Sequence, residues 1–471
     1  MSIRIQKPIL VGGLAVTAGF VGLDLLSHAV ASNGNTLMLG AMAIGGGYWL
    51  WNQRRGGTVA QPIKINLSTL TQLSDQVKLI ADQLTIEGGN SASLQQSLAQ
   101  ALQQADRQHY RLAVTGAARV GKTSVIAALP ATDFISAQPL ELTETPALFE
   151  VDGADLQISQ TLWQADLVVF VTNGDLTATE FAYISKLQQQ VVVVLNKQDQ
   201  LAPIDRDMVY QNIQRTVAGL TSQVVAISAK PAAITVRAIS ASGDVQESIE
   251  QPSIEITPLT NSLRIVLAES GAQLVLNTTY WAVDQIKNTG KAQLNGLRLA
   301  RAMPIIEQRQ WIAGATAFAN PLPALDLLAT AAVNAQTIVD LSTIYQQPFS
   351  IELGQSAASA MGGLLLKLGL VEISTQAIGS MLKTNAVTYV AGGLVQGMSA
   401  AYLTRIVGLT LAAYFADQDV VAAQSSPVWN PDRFGTLLQQ VFQANQRLTV
   451  LQEFVQQGIQ RLIPDPKPQI S

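Results

Sequence analysis

The spacing of apolar residues changes several times along this chain, and each change marks an element boundary. Two long apolar runs open it: Pro8 to Leu26, broken only by Thr17 and Asp24, and Leu37 to Trp51. Each approaches the roughly 20 residues that cross a hydrocarbon core. His28 to Thr36 lies between them and carries an Asn33-Gly34-Asn35 turn signal. Helical spacing follows at Leu67, Leu70, Leu73, Val77, Ile80 and Leu84, stops at Gly88-Gly89-Asn90, and resumes at Leu94, Leu98 and Leu102. Short continuous apolar runs then replace it, at Tyr110 to Thr115, Ala165 to Val171, Val191 to Leu195 and Val224 to Ile227. Helical stretches at Thr177 to Gln189 and Asp205 to Leu220 separate the later runs. Continuous apolar strands alternating with helices predict a largely parallel sheet covered on both faces.

Past Lys230 the pattern predicts a small extension, with strands at Ile234 to Ile239 and Ser253 to Ile256. Pro258-Leu259-Thr260 then opens a new unit, with Asn261 as the helix cap. From Leu263 to about Phe415 the chain reads as Ala/Gly/Leu-rich helix. Within it, Thr384 to Thr404 is uncharged and long enough to cross a membrane, although Asn385, Thr388, Gln396 and Ser399 make it more polar than the N-terminal runs. An amphipathic segment (Phe434, Leu437, Leu438, Val441, Phe442, then Leu448, Leu451, Phe454, Val455) precedes the prolines at 464, 466 and 468.

Charge sharpens this picture. Charged residues make up 13% of the 471, hydrophobic residues 48%, and formal net charge is -4. With no long basic run, no nucleic-acid partner is expected. Zero cysteines exclude a disulfide scaffold or a cysteine nucleophile, and two histidines exclude a histidine-rich metal site. Arg4, Lys7, Arg54 and Arg55 flank the N-terminal runs, and the loop between them has no Lys or Arg. The positive-inside bias therefore predicts a transmembrane hairpin with both outer flanks in the cytoplasm.

The most specific chemical signal follows the strand at Tyr110 to Thr115. Gly116-Ala117-Ala118-Arg119-Val120-Gly121-Lys122-Thr123 is a complete G-x-x-x-x-G-K-T loop between strand and helix. Its amides can surround phosphates, Lys122 can reach the β- and γ-phosphates, and Thr123 can ligate Mg2+, with Ser124 beside it. The strand at Val191 to Leu195 ends in Asn196-Lys197-Gln198-Asp199, and that at Val224 to Ile227 ends in Ser228-Ala229-Lys230. A carboxylate at Asp199 accepts both the N1-H and the 2-amino group of guanine, whereas adenine offers an acceptor at N1.

In these motifs the sequence resembles the Era-like branch of the Ras-like, translation-factor-related GTPases. The resemblance implies that Asn196 ties the base loop to the phosphate loop, Lys197 lies along the base, and the Ala229 amide meets the guanine oxygen. It implies GTP/GDP and Mg2+ as ligands. The family's D-T-P-G motif becomes Glu144-Thr145-Pro146-Ala147 here. Glu144 would take the metal-linked role, with its carboxylate moved by one methylene. Ala147 keeps an amide but loses glycine-only dihedrals. Thr132 and Ser136 are the hydroxyls available to the shortened switch segment. Arg119 stands where several Era-like members carry an Asn that helps hold a potassium ion, so a guanidinium could replace that charge near the phosphates. The candidate catalytic set is Lys122, Glu144 and Arg119.

The C-terminal region, above all Asn320-Pro321-Leu322-Pro323-Ala324-Leu325-Asp326 and the Ala-rich stretch to Asp340, resembles the YcjF-type helical domain fused to Era-like GTPases in bacteria. The expected plan is a transmembrane hairpin anchor at 1–56, a helical linker or stalk at 57–108, a degenerate α/β P-loop GTPase domain at 109–257, a hydrophobic all-α domain at 258–463 and a tail at 464–471. The expectation is a guanine-nucleotide-binding switch on a prokaryotic membrane, with its nucleotide domain facing the cytoplasm and weak or partner-stimulated hydrolysis. Membrane lipid and a homo-oligomer or membrane-protein partner complete it. A non-hydrolysing nucleotide-bound scaffold and a transport or channel component, the latter using Asp326 or Asp340, are the alternatives.

Overall fold

A computed structural model of the chain describes residues 65–131, 139–149, 158, 161–221, 223–239, 245–319, 335–347, 349–384, 391–418 and 429–462. The hairpin expected over 1–56, the candidate switch hydroxyls Thr132 and Ser136, Asp326 and the tail at 464–471 lie outside them. The described residues fall into two compact units, one ending at Lys291 and the other beginning at Ala292.

The first unit opens with two helices, α1 (Leu67–Ile86) and α2 (Ala92–Gln103). Asn66 caps α1 by accepting the Thr69 amide at 2.9 Å. β1 (Tyr110–Thr115) leads through the glycine-rich loop into α3 (Lys122–Ala128). β2 (Leu140–Glu144), β3 (Leu167–Thr172), α4 (Ala178–Ile184), β4 (Gln190–Leu195), α5 (Pro203–Val217) and β5 (Val224–Ala226) follow. Thr177 and Glu180 close a reciprocal capping box on α4.

The five strands pair in the order β2-β1-β3-β4-β5, parallel throughout. Apolar side chains fill both faces, which explains the continuous rather than alternating strand sequences. On one face Leu112, Val114, Val169, Val171, Val192 and Val194 pack with Val125 and Leu129. On the other, Val168, Phe170, Val191, Val193 and Leu195 meet Ile184 and the Val209, Ile213 and Val217 stripe of α5. After β1 the chain steps outward to β2, then returns across β1 to β3. The glycine-rich loop thus leaves β1 where the strand order reverses, which is the ligand-binding crevice of such sheets.

A separate antiparallel ribbon follows, β6 (Ile234–Ile239) with β7 (Val245–Glu250). The return strand therefore lies earlier than the expected Ser253 to Ile256. Pro252 has no N–H for a ladder at that point, and Glu255 makes only an isolated bridge to Ser228. Helix α6 (Thr257–Ala319) also begins earlier than expected, with Pro258 in its first turn, where a missing N–H is tolerated. Asn261 consequently sits inside the helix and accepts from Arg264 Nη1 at 3.0 Å rather than capping it.

The first part of α6 seals the sheet with Leu259, Leu263, Val266, Leu267 and Leu274. The segment at 57–108 supplies α1 and α2, which pack on α6. A Cβ on Gly290 would meet Leu94 Cδ2 at 2.8 Å and Ile80 Cγ2 at 3.1 Å. At the amino-terminal edge of the sheet, Asp166 collects donors from three elements. Arg107 Nη2 pairs with Oδ1, Thr278 of α6 donates to Oδ1 at 2.7 Å, and the Arg111 amide donates to Oδ2 at 2.8 Å.

The second unit contains the rest of α6, a helical stretch at 335–344, α7 (Ile351–Lys367), α8 (Leu370–Thr384), α9 (Ala391–Asp417), α10 (Pro431–Asn445) and α11 (Leu448–Leu462). Its core runs through Ile306, Met361, Ile378, Met398, Tyr402, Leu411, Phe434 and Val455. α6 and α9 run antiparallel in close contact. A Cβ on Gly397 would meet Gly314 O at 2.7 Å, and one on Gly408 would meet Ile306 Cγ1 at 2.9 Å. Gly393–Asp417 is long and apolar enough to cross a membrane, and 78% of its apolar window is buried within the protein. That stretch overlaps the expected run at 384–404 from residue 393 onward and extends beyond it to include Arg405. Its side chain reaches Gln310 Oε1 at 3.4 Å, so a protein partner meets the charge. Asp340 accepts from Arg309 Nη2 and Gln336 Nε2, each at 2.8 Å, as a packing residue does.

Candidate functional site

Two glycines shape the loop after β1. Gly116 has φ 147° and Gly121 φ 96°, both in the region that favours glycine. A Cβ on Gly116 would meet Val171 O at 2.2 Å, and one on Gly121 would meet Asn196 Nδ2 at 2.4 Å. Only glycine lets this backbone lie against β3 and the segment after β4. Arg119 between them is also left-handed, at φ 62°.

Lys122 is 7% exposed and curls over its own loop, donating to Gly116 O and Ala117 O at 3.0 Å each. Thr123 Oγ1 donates to Glu144 Oε1 at 2.8 Å. The added methylene of Glu144 does not stop its carboxylate reaching the first turn of α3. The rest of the altered motif is tied to the loop as well. The Thr145 amide donates to Val114 O at 3.0 Å, Thr145 Oγ1 to Thr115 Oγ1 at 2.8 Å, and the Leu148 amide to Gly116 O at 3.2 Å.

The residues after β4 lock onto the same loop. Asn196 Nδ2 donates to Val120 O at 3.0 Å, and Lys197 Nζ donates to Arg119 O at 2.8 Å. Asn196 Oδ1 accepts the Ala229 amide at 3.1 Å. That amide is therefore held by Asn196 rather than aimed at a base, and would have to be released to meet a guanine oxygen. The Asp199 amide donates to Ser228 Oγ at 3.3 Å, while Asp199 Oδ2 accepts the Ala232 amide at 3.0 Å. Asp199 Oδ1 is buried and has no hydrogen-bond partner.

Arg119, Gly121, Lys122, Thr123, Ser124, Glu144, Asn196, Lys197 and Lys230 line one cavity of about 360 Å3. It holds four cations and one carboxylate, the charge balance of a polyanion site. These groups suit a nucleotide's phosphates, with loop amides to donate and ammonium groups to match their charge; Asp199, two residues beyond Lys197 and outside the cavity lining, adds an unpartnered acceptor oxygen of the kind that takes paired N–H donors. The Thr123 and Glu144 oxygens, 2.8 Å apart, are hard ligands of the type that would hold Mg2+. Among the described residues, no cluster of three or more His, Cys, Asp or Glu side chains forms a protein-only metal site.

Sequence reasoning named most of this site but missed three ties. They are the Ala232 amide on Asp199, the Gln198 Nε2 contact to Glu255 Oε2 at 2.8 Å, and the backbone of Phe149. Phe149 has φ 67° and stacks edge-on with Tyr183 at 5.9 Å. Neither amide placement nor a left-handed phenylalanine leaves a mark in residue identity.

Comparison with known proteins adds one domain assignment. Residues 281–447 match the family described as "Domain of unknown function (DUF697)", which overlaps the region of YcjF-type resemblance. No curated protein matches the chain. Among solved structures, a member of an oligomerised bacterial dynamin pair, described as sensing and tethering membranes, is 12% identical. That match covers 81% of this chain and 80% of the other, at a TM-score of 0.27. The LeoA bacterial dynamin GTPase from ETEC is 13% identical over 84% of this chain and 98% of its own, at 0.24. A LAO/AO transport system kinase is 13% identical over 63% and 98%, at 0.23. These TM-scores lie below that of a shared global fold, so the functional reading rests on the site.

Proposed function

We propose that this chain is a membrane-associated guanine-nucleotide switch of the Era-like type, with weak or partner-stimulated hydrolysis. One observation carries the proposal: the buried, unpartnered Asp199 Oδ1 belongs to a segment bolted to the phosphate loop by Asn196 and Lys197. Recognition of phosphates and of an N–H-bearing base is thereby joined in one rigid frame. Guanine supplies two adjacent donors to Asp199, and adenine does not. Lys122 would exchange its loop carbonyls for β- and γ-phosphate oxygens. Bound Mg2+ would neutralise charge on those oxygens, with Thr123 and Glu144 as the residues that hold it. Ser228 and Lys230 would border the base and the cavity mouth.

The Glu144 and Ala147 substitutions favour slow turnover, because they alter the motif that links metal and γ-phosphate. They equally support the second reading, a nucleotide-bound scaffold that rarely hydrolyses. The N-terminal apolar runs support membrane attachment, and the DUF697 match at 281–447 supports a fused second domain beside the switch.

Purified full-length protein in lipid nanodiscs tests this with fluorescent GTP and ATP analogues. The expected outcome is Mg2+-dependent GTP binding that excess ATP does not displace and that Lys122→Ala weakens at least ~10-fold. Equal affinity for both nucleotides would sink the guanine assignment. Turnover that disappears with Lys122→Ala would favour the switch, and binding without turnover the scaffold.

A further inference from the structure

Among the described residues, most arginines of this sparsely charged chain are committed to partners. Arg107 pairs with Asp166, Arg111 with Glu141, Arg237 with Glu247, Arg309 with Asp340 and Arg433 with Asp417. Arg119 breaks the pattern. Among the described residues its guanidinium has no hydrogen-bond or ion-pair partner, and it lines the cavity beside Lys122 and Thr123. Its backbone is left-handed, a conformation that is unfavourable for an L-residue and that glycine adopts freely. Two flanking contacts hold it there: Lys197 Nζ donates to its own carbonyl, and Asn196 Nδ2 to the next. The backbone is thus held in an uncommon region by its surroundings, while the exposed side chain borders the cavity.

We infer that Arg119 is a catalytic arginine built into the phosphate loop, its guanidinium donating to phosphate oxygens that gain charge as GTP is hydrolysed. The inference rests on the guanine-nucleotide reading above and adds the reaction step that the loop serves. In that step a water oxygen forms a bond to the γ-phosphorus as the bond from that phosphorus to the β–γ bridging oxygen breaks. The electron pair stays on the bridging oxygen of the departing GDP, and the water's proton leaves with the released phosphate. Charge grows on the bridging and β-phosphate oxygens, where an arginine supplied in cis substitutes for one supplied by a partner. Lys197 is then a positioning residue, since the base-reading segment holds the Arg119 carbonyl.

The test uses the full chain in nanodiscs, loaded with fluorescent GDP and Mg2+, then exposed to aluminium fluoride as a mimic of the transferring phosphoryl group. Wild type should form the fluoride complex without any partner, seen as at least ~10-fold slower GDP release. Arg119→Ala should abolish that slowing and lower kcat about 1,000-fold, at the low end of arginine-finger effects. GDP affinity should change less than about threefold, and Arg119→Lys should restore part of the response. A fluoride response in Arg119→Ala equal to wild type, or no response in wild type that binds GDP, would overturn the inference while leaving nucleotide binding intact. Failure of wild type to bind GDP would overturn both readings.

Discussion

At the scale of single residues, the site divides into positions that chemistry dictates and positions that only the fold explains. Gly116, Gly121, Lys122 and Thr123 belong to the first kind, because a loop that presents amides to phosphate needs glycines and one lysine. They were readable from sequence for that reason. Asp199 was readable too, but its surroundings were not: Ala232 offers only a backbone amide, which any residue would supply. The orphaned oxygen gives a quantitative expectation. Asp199→Asn replaces an acceptor with a donor in front of the guanine N–H groups. Charged hydrogen bonds are worth roughly 1.5–3 kcal/mol, so GDP affinity should fall about 10- to 100-fold. ATP affinity should stay where it was, because the phosphate loop is untouched. Calorimetric titration with both nucleotides measures this, and unchanged GDP affinity would remove Asp199 from base recognition.

At the scale of elements, the sheet strands were readable because a parallel sheet buried on both faces needs continuous Val and Leu runs. The ribbon and the start of α6 were misplaced by a few residues. Pairing of β6 with β7 and the tolerance of Pro258 in a first turn depend on partners that local pattern does not contain. The junction at Asp166 was invisible for the same reason. Its donors come from Arg107, Arg111 and Thr278, far apart in sequence. The side chains of Arg107 and Asp166 are 4% and 0% exposed, so this ion pair is desolvated. Removing one partner of such a pair strands the other charge and costs about 3–5 kcal/mol. Asp166→Ala should therefore lower the denaturant midpoint of the α/β unit by that equivalent. Thr278→Val, which removes one donor, should cost only about 1 kcal/mol. Trp163 and Trp281, with ring centroids 6.1 Å apart, provide a fluorescence probe within the same unit. Similar midpoints for Asp166→Ala and wild type would show that the junction contributes no net stability.

At the scale of the whole molecule, the switch proposal depends on a fixed topology, with the nucleotide site on the side of the membrane that holds GTP. That topology is expected from an asymmetry of charge: Arg4, Lys7, Arg54 and Arg55 outside the two apolar runs, and no Lys or Arg between them. The proposal therefore expects the loop at 28–36 to be translocated, because short loops without Lys or Arg cross more readily than flanks that carry them. The candidate span of the helical unit, Gly393–Asp417, argues differently, since burial within that unit already covers 78% of its apolar window. A core helix and a membrane helix share length and composition, so only placement separates them. The chain's lack of cysteine makes placement measurable without background. A single cysteine at Asn33 should react with a membrane-impermeant maleimide added to intact spheroplasts. One at Thr58, just past the second cationic flank, should react only after lysis. A third at Gly362, an exposed position of α7 where an added Cβ meets nothing within 4 Å, should behave like Thr58 if the helical unit shares the nucleotide side. Labelling of Thr58→Cys in intact spheroplasts would put the phosphate loop on the wrong side of the membrane for GTP. Labelling of Gly362→Cys there, with Thr58→Cys protected, would instead require an odd number of crossings between the two, and so would make part of the helical region a true span.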